Sequence, residues 1–207
     1  MDYGLVKKYN FDNISKDQNY LNLFNSYLTE IPEGIFQFKK LKFLDLDWNK
    51  ISDIHISFEN LDYFQNLIYI NLSNNKIHSF PKCICFLHNL ITLEMEYNKI
   101  VDIPKEIINL KNIKELNISN NKIDKIPKYF YTLISLNILY LNDNIIDEIS
   151  SDIKNLHNLK IFDISQNLLR LIPHEIFNLN LLLLNISNNI FIDEIKNKSK
   201  HRVKIIT

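Results

Sequence analysis

The chain has 207 residues, 46% of them apolar and 23% charged, a balance that suits one folded domain with a substantial core. Its 24 basic and 24 acidic residues cancel, which excludes a protein whose whole surface is adapted to nucleic acid or to an anionic membrane. Glycine occurs only at Gly4 and Gly34, so a glycine-rich nucleotide loop is excluded as well.

Residues 1–10 carry Lys7 and Lys8 but no apolar run long enough for a signal-peptide core, and no later stretch reaches the length of a membrane span. Neither Asp2 nor the ending Lys204, Ile205, Ile206, Thr207 fits a lipidation pattern. The expectations are therefore no membrane contact, a cytoplasmic location, and a role for residues 1–17 as an N-terminal cap.

From residue 18 to residue 195 the chain repeats itself. A weak first copy has Leu21, Leu23, Ser26, Leu28, Ile31 and Pro32, and a second has Leu41, Leu44, Leu46, Asn49, Ile51 and Ile54. The third, Leu67, Ile70, Leu72, Asn75, Ile77, Phe80, Pro81, follows after 26 residues rather than 23, an insertion expected to lengthen the stretch around Phe58 to Phe64 into a helical turn. Copies four to seven hold strict 23-residue spacing through Asn98, Asn121, Asn144 and Asn167, and an eighth runs through Leu181, Leu184, Ile186, Asn189 and Phe191. The tail, 196–207, is rich in Lys and Arg until Ile205 and Ile206; either it folds over the last coil or that end is left for a partner.

Within each copy the Leu-x-Leu alternation has the period of a short strand with one buried face. The asparagine that ends it can donate and accept at once, so stacked copies should form an asparagine ladder. The Ile-Pro step then begins an irregular return path, because proline lacks an N–H and biases the residue before it away from helix. One copy orders too many residues for the apolar surface it buries, so stability has to come from stacking.

This pattern resembles the leucine-rich-repeat family in its typical 23-residue class, as found in intracellular Ras-associated repeat proteins. The resemblance implies an α/β solenoid of eight repeats, a curved horseshoe with a parallel β-sheet on the concave side and short 3₁₀ or extended segments on the convex side.

Residues flanking the strand leucines should face the concave side, and they sort into rows. The row before the central leucine is Tyr20, Phe43, Tyr69, Thr92, Glu115, Ile138, Ile161, Leu183; the row after it includes Asp45, Glu94 and Tyr140; the next includes Phe24, Asp47, Ser73, Glu96, Ser119 and Ser165; the last includes Trp48 and Tyr97. In the N-terminal half, Tyr20, Phe24, Phe43, Trp48, Tyr69 and Tyr97 mix with Asp45, Asp47, Glu94, Glu96 and Glu115, a combination of aromatic anchors and fixed charge suited to a protein partner. That face is expected to bind a segment carrying Lys or Arg beside apolar residues. In the C-terminal half, Ile138, Ile161 and Leu183, with Ile145, Leu168 and Ile190 directly after the ladder positions, form an apolar stripe. Either it joins two copies as a homodimer or the tail covers it.

No arrangement of nucleophile, base and orienting group is visible, and an open solenoid face weakens the electrostatics on which catalysis depends. The carboxylate pairs Asp45/Asp47 and Glu94/Glu96 are neighbours on one strand face but stand in water, and Cys83 and Cys85 lie at irregular distances from His78 and His88, which argues against a structural zinc site. No cofactor, metal or nucleic acid is expected, and the Asn-x-Ser sequons at Asn13, Asn71, Asn117, Asn185 and Asn197 are read as chance matches, those at Asn71, Asn117 and Asn185 arising from the repeat strand. The function that follows is a cytoplasmic, non-enzymatic protein-interaction module. The alternatives are a regulatory subunit of a signalling enzyme, which the resemblance implies would be a small GTPase or a protein phosphatase, or a structural scaffold.

Overall fold

The alternation in each repeat becomes a strand of three residues whose middle side chain is buried and whose flanking ones are not. In the computed structural model, which describes residues 11–54, 58–191 and 204–206, these are β1 (Tyr20–Asn22), β2 (Phe43–Asp45), β3 (Tyr69–Asn71), β4 (Thr92–Glu94), β5 (Glu115–Asn117), β6 (Ile138–Tyr140), β7 (Ile161–Asp163) and β8 (Leu183–Asn185). With β9 (Lys204–Ile206) they form one open sheet in chain order, every neighbouring pair parallel. Tyr20 stands opposite Phe43, Phe43 opposite Tyr69 and Tyr69 opposite Thr92, so one phase of the repeat becomes one row on the sheet. Leu44, Ile70, Leu93, Leu116, Leu139, Phe162 and Leu184 project the other way into a continuous apolar interior.

The asparagine ladder expected from the sequence is present. Asn98 shows its wiring: the amide donates to the carbonyls of Leu72 at 2.9 Å and Met95 at 3.1 Å, and the side-chain oxygen accepts the N–H of Ile77 at 3.0 Å. Asn75, Asn121, Asn144 and Asn167 repeat the pattern one coil at a time. Each side chain thereby satisfies backbone groups in its own coil and in the one before, groups that would otherwise be buried unpaired. A second ladder lies at the entrance to the strands. Asn66, Asn89, Asn112 and Asn158 each donate to a carbonyl of the preceding coil at 2.8–2.9 Å, and Ser135 does so through its hydroxyl at 2.7 Å.

The return paths are 3₁₀ helices, as the Ile-Pro step suggests. They span Glu33–Gln37, Asp62–Phe64, Lys82–Phe86, Lys105–Asn109, Lys128–Thr132, Ser151–Asn155 and His174–Asn178. Pro32, Pro81, Pro104, Pro127 and Pro173 precede five of them in extended conformation, where a missing N–H costs nothing. Ser150 replaces proline in the sixth coil, and its hydroxyl accepts the Asp152 N–H at 3.2 Å, a side-chain cap in place of a rigid ring. The three extra residues before Asn75 are absorbed as α1 (Phe58–Leu61), which runs directly into the 3₁₀ turn at Asp62–Phe64.

At the N-terminal end Phe11 is buried, 5.6 Å from the ring of Phe38 in edge-on contact. A Cβ on Gly34 would run into the Phe11 ring, which explains a glycine at this point. Residues 1–10 of the expected cap lie outside the described residues. At the other end, residues 204–206 of the tail extend the sheet rather than fold across it: Ile205 pairs with Leu184 and packs on the core, and the Ile186 N–H reaches the Ile206 carbonyl at 2.9 Å.

Candidate functional site

Two surfaces emerge from the side chains singled out in the sequence. The first is the exposed face of β1 to β5. Tyr20, Phe43 and Tyr69 occupy successive strands in one row, Phe43 and Tyr69 with ring centroids 6.3 Å apart, and Glu115 lies two strands further along. Tyr20 and Phe43 are exposed and Tyr69 is half-buried.

In the adjoining row most residues have a structural task. Asn22, Asp45, Asn71, Asn117, Asp163 and Asn185 each accept the N–H of the residue two further on, closing the turn that leaves the strand. Ser119 and Ser187 add their hydroxyls to the same oxygens at 2.7 and 2.8 Å, which gives a physical origin for the Asn-x-Ser sequons at 117 and 185. It also corrects one expectation: Ser73, Ser119 and Ser165 are buried against the turn instead of facing outward. Asp45 is therefore partly accounted for by the fold. Glu94 and Tyr140 break the row, being too long for that turn, and so mark the places where the repeat has been altered.

Glu94 is half-buried between neighbours of like charge. Burial pushes its carboxyl up to about 7, the Asn117 amide opposes the shift, and Glu115 and Glu96 add to it. The Tyr69 phenol is pushed up to about 12 by burial, then by the negative charge of Glu94, Asp45, Asp47 and Glu115. Burial raises Asp45 too, against the N–H of Asp47, and raises the Tyr140 phenol. These shifts trace one connected negative region across the middle of the sheet. Asp47 and Glu96 sit two residues beyond the strands; Asp47 accepts the Asn74 amide at 3.0 Å, and Glu96 lies 3.4 Å from the Ser119 hydroxyl.

The second surface is the rim where each strand turns toward its ladder asparagine. Asn25, Trp48, Asn74, Tyr97, Asn120, Asp143, Gln166 and Asn188 all have left-handed backbone there, with φ of 48–56°. Trp48 and Tyr97 thus stand at the turn and not on the strands, which separates them from Glu94 and Phe43. They line an open groove of about 430 Å³ together with Tyr27, Lys50 and Lys76. Tyr27, also left-handed, carries the Lys50 ammonium 5.3 Å from its ring centroid. It was missed in the sequence, although it is in phase with Lys50, Lys76, Lys99 and Lys122. Phe24 is exposed beside this rim, with its N–H held by Asn22.

Of the C-terminal stripe, Ile138, Ile161 and Leu183 are adjacent on β6 to β8 and half-buried, whereas Ile145, Leu168 and Ile190 are 45–49% exposed on the same rim. Residues 204–206 of the tail pair along β8 beside Leu183, while Ile145, Leu168 and Ile190 stay exposed. Among the described residues no group of three or more His, Cys, Asp or Glu could hold a metal, and no helix is long and apolar enough to cross a membrane.

Comparisons with known proteins agree on architecture. A family profile described as Leucine rich repeat matches residues 88–146, and a second of the same description matches 40–61 and 66–87. No curated protein matches significantly. Among solved structures, the chain is similar to a leucine-rich-repeat protein of Leptospira interrogans, with 29% identity and a TM-score of 0.79 over 88% of this chain and 52% of that one. An internalin of Listeria monocytogenes is 25% identical with a TM-score of 0.68, over 83% and 49% of the two chains. The leucine-rich-repeat ectodomain of a plant membrane receptor kinase from Arabidopsis thaliana, solved in complex with Casparian strip integrity factor 2, is 27% identical with a TM-score of 0.74, over 90% and 25%. The chain spans about half the length of the first two and a quarter of the third. Leucine-rich-repeat folds commonly serve as modules that bind other proteins and are generally not enzymes. Repeat, strand register, both ladders and these likenesses agree that the chain folds as a leucine-rich-repeat solenoid.

Proposed function

We propose that this protein is a non-enzymatic interaction module that grips a partner protein across the exposed face of β1 to β5, through a partner segment carrying Lys or Arg beside apolar residues. The observation that carries the reading is Glu94. A carboxylate inserted where neighbouring coils use a turn-closing Asn or Asp, half-buried and held partly protonated by burial and like charge, gains most from an incoming cation. Tyr20, Phe43 and Tyr69 supply the apolar anchors beside it. The plant ectodomain solved with a bound factor is a precedent for recognition by this fold, although that chain is about four times longer. Cys83 and Cys85 are the two cysteines of the sequence, too few for the disulfide-rich caps of secreted repeat proteins, which supports the cytoplasmic location in this reading. A small GTPase or a phosphatase as the captured protein follows from the resemblance to intracellular Ras-associated repeats alone.

The test is binding of a fluorescent (Lys-Tyr)₅ peptide to wild type and to a Phe43→Ala/Glu94→Ala variant whose folding is checked by circular dichroism. Saturable binding that the double variant weakens about tenfold supports the reading; equal binding by both removes it. A second reading, self-association through Ile145, Leu168 and Ile190, is favoured by their exposure so close together on the rim. A mass that stays monomeric at all concentrations in sedimentation would exclude it.

A further inference from the structure

The rim groove is chemically unlike the acidic strand face beside it. On one side of the ladder, Trp48 and Tyr97 project from left-handed turns two coils apart; on the other, Tyr27 is followed by Lys50, Lys76, Lys99 and Lys122 in consecutive coils. The four ammonium groups are exposed, and among the described residues none is in an ion pair. The ladder amides of Asn49 and Asn75 on the floor are already spent on backbone carbonyls, so selectivity belongs to the two flanking rows. The backbone is a further sign. Left-handed φ suits Asn and Asp, which fill most of this row, whereas a bulky aromatic there is strained, and strain of this kind is retained where a side chain is needed.

From this geometry we infer a second interaction surface: the groove between the Trp48/Tyr97 row and the lysine row takes an extended, acidic segment of another protein in which Asp or Glu alternates with apolar or aromatic residues. Coils stack at about 4.8 Å, and an extended chain places side chains of one face about 6.7 Å apart, a mismatch that flexible lysine arms can span. The two faces of such a segment separate its residues to match the groove, carboxylates toward the lysines and apolar groups toward the rings. Charge complementarity selects acid over base here, opposite to the strand face. A long polyanion is disfavoured, because Asp47 and Glu96 lie immediately beside the groove and the whole chain has no net positive charge.

The probe is a fluorescent (Glu-Tyr)₅ peptide titrated with the full-length protein, compared with (Glu)₁₀ and with a twelve-nucleotide oligothymidylate. Saturable binding to (Glu-Tyr)₅, tighter than to either control and weakened at about 0.5 M salt, is expected. Lys50→Glu/Lys76→Glu, at the two lysines that line the groove, should lower the affinity about tenfold or more. So should Trp48→Asn, which keeps the turn residue type of the neighbouring coils and therefore the fold. Phe43→Ala/Glu94→Ala should leave (Glu-Tyr)₅ binding unchanged, so failure of the strand-face reading and failure here are separate results. Absence of saturable binding, indifference to either groove variant, or oligothymidylate binding as tightly as the peptide would each overturn the inference, the last in favour of nucleic acid.

Discussion

Trp48 and Asn74 occupy the same turn position in successive coils, with φ of 55° and 52°, yet one carries the largest side chain in the protein and the other a residue suited to that backbone. A non-glycine residue in left-handed conformation costs roughly 1–2 kcal/mol, less for Asn. Trp48→Asn should therefore stabilise the protein by about 0.5–1 kcal/mol while weakening capture of acidic peptide. Urea unfolding of the two proteins checks the first half; a loss of stability would mean that Trp48 packs as a structural residue.

Glu94 gives a pH signature. Its folded-state carboxyl lies near 7, above the unfolded value of about 4.5, so the native state binds the extra proton. Stability from this group is greatest below the unfolded value, falls as pH rises through the interval, and levels off above 7. Glu94→Gln removes the titration. The variant should melt above wild type at pH 8 and together with it near pH 4.5, as followed by thermal scans across that range.

The ladder should be costly to break. Asn144 donates to the carbonyls of Ile118 and Leu141 at 3.0 Å and accepts the Ile123 N–H at 2.9 Å, in a buried setting. Asn144→Ala strands all three groups and should cost roughly 3 kcal/mol, given about 1–3 kcal/mol per unsatisfied buried group and partial access of water. Chemical denaturation measures it; a loss below about 1 kcal/mol would show that water replaces the amide well.

The ninth strand can be tested separately. Ile205→Asp places a charge against the apolar end of the core where Ile205 packs. The N–H of Ile186, held by the Ile206 carbonyl, should then lose protection in hydrogen exchange, while that of Met95, bonded to Asn117 four coils away, keeps it. Unchanged protection at Ile186 would mean that residues 204–206 do not hold the sheet in solution.

Strand positions, the ladder, the proline-led return paths and the helical insertion at Phe58–Leu61 were all legible, because each follows from a residue type recurring at a fixed phase. The second ladder was legible in principle through Asn66, Asn89, Asn112 and Asn158, but it lies outside the apolar motif that draws attention. From sequence alone Trp48 and Tyr97 group with the strand face, because their phase in the repeat is legible and their backbone conformation is not. Their in-phase companions Asn25, Asn74, Asn120 and Asp143 carried the missing clue, since these types tolerate positive φ. The role of residues 204–206 had no periodic signal, as pairing there depends on where the chain returns in space. What separates Glu94 and Tyr140 from the other members of their row could be seen only once the turn-closing bonds of those members were known.

The extra turn at Phe58–Leu61 has a consequence for how such a molecule changes over time. Phe43 lies six residues before Asn49 and Tyr69 six before Asn75, so the added length is confined to the side away from the strands. The outer surface is free to acquire helices, charges or new loops coil by coil, while the ruler that spaces Phe43, Tyr69, Glu94 and the rim lysines stays fixed.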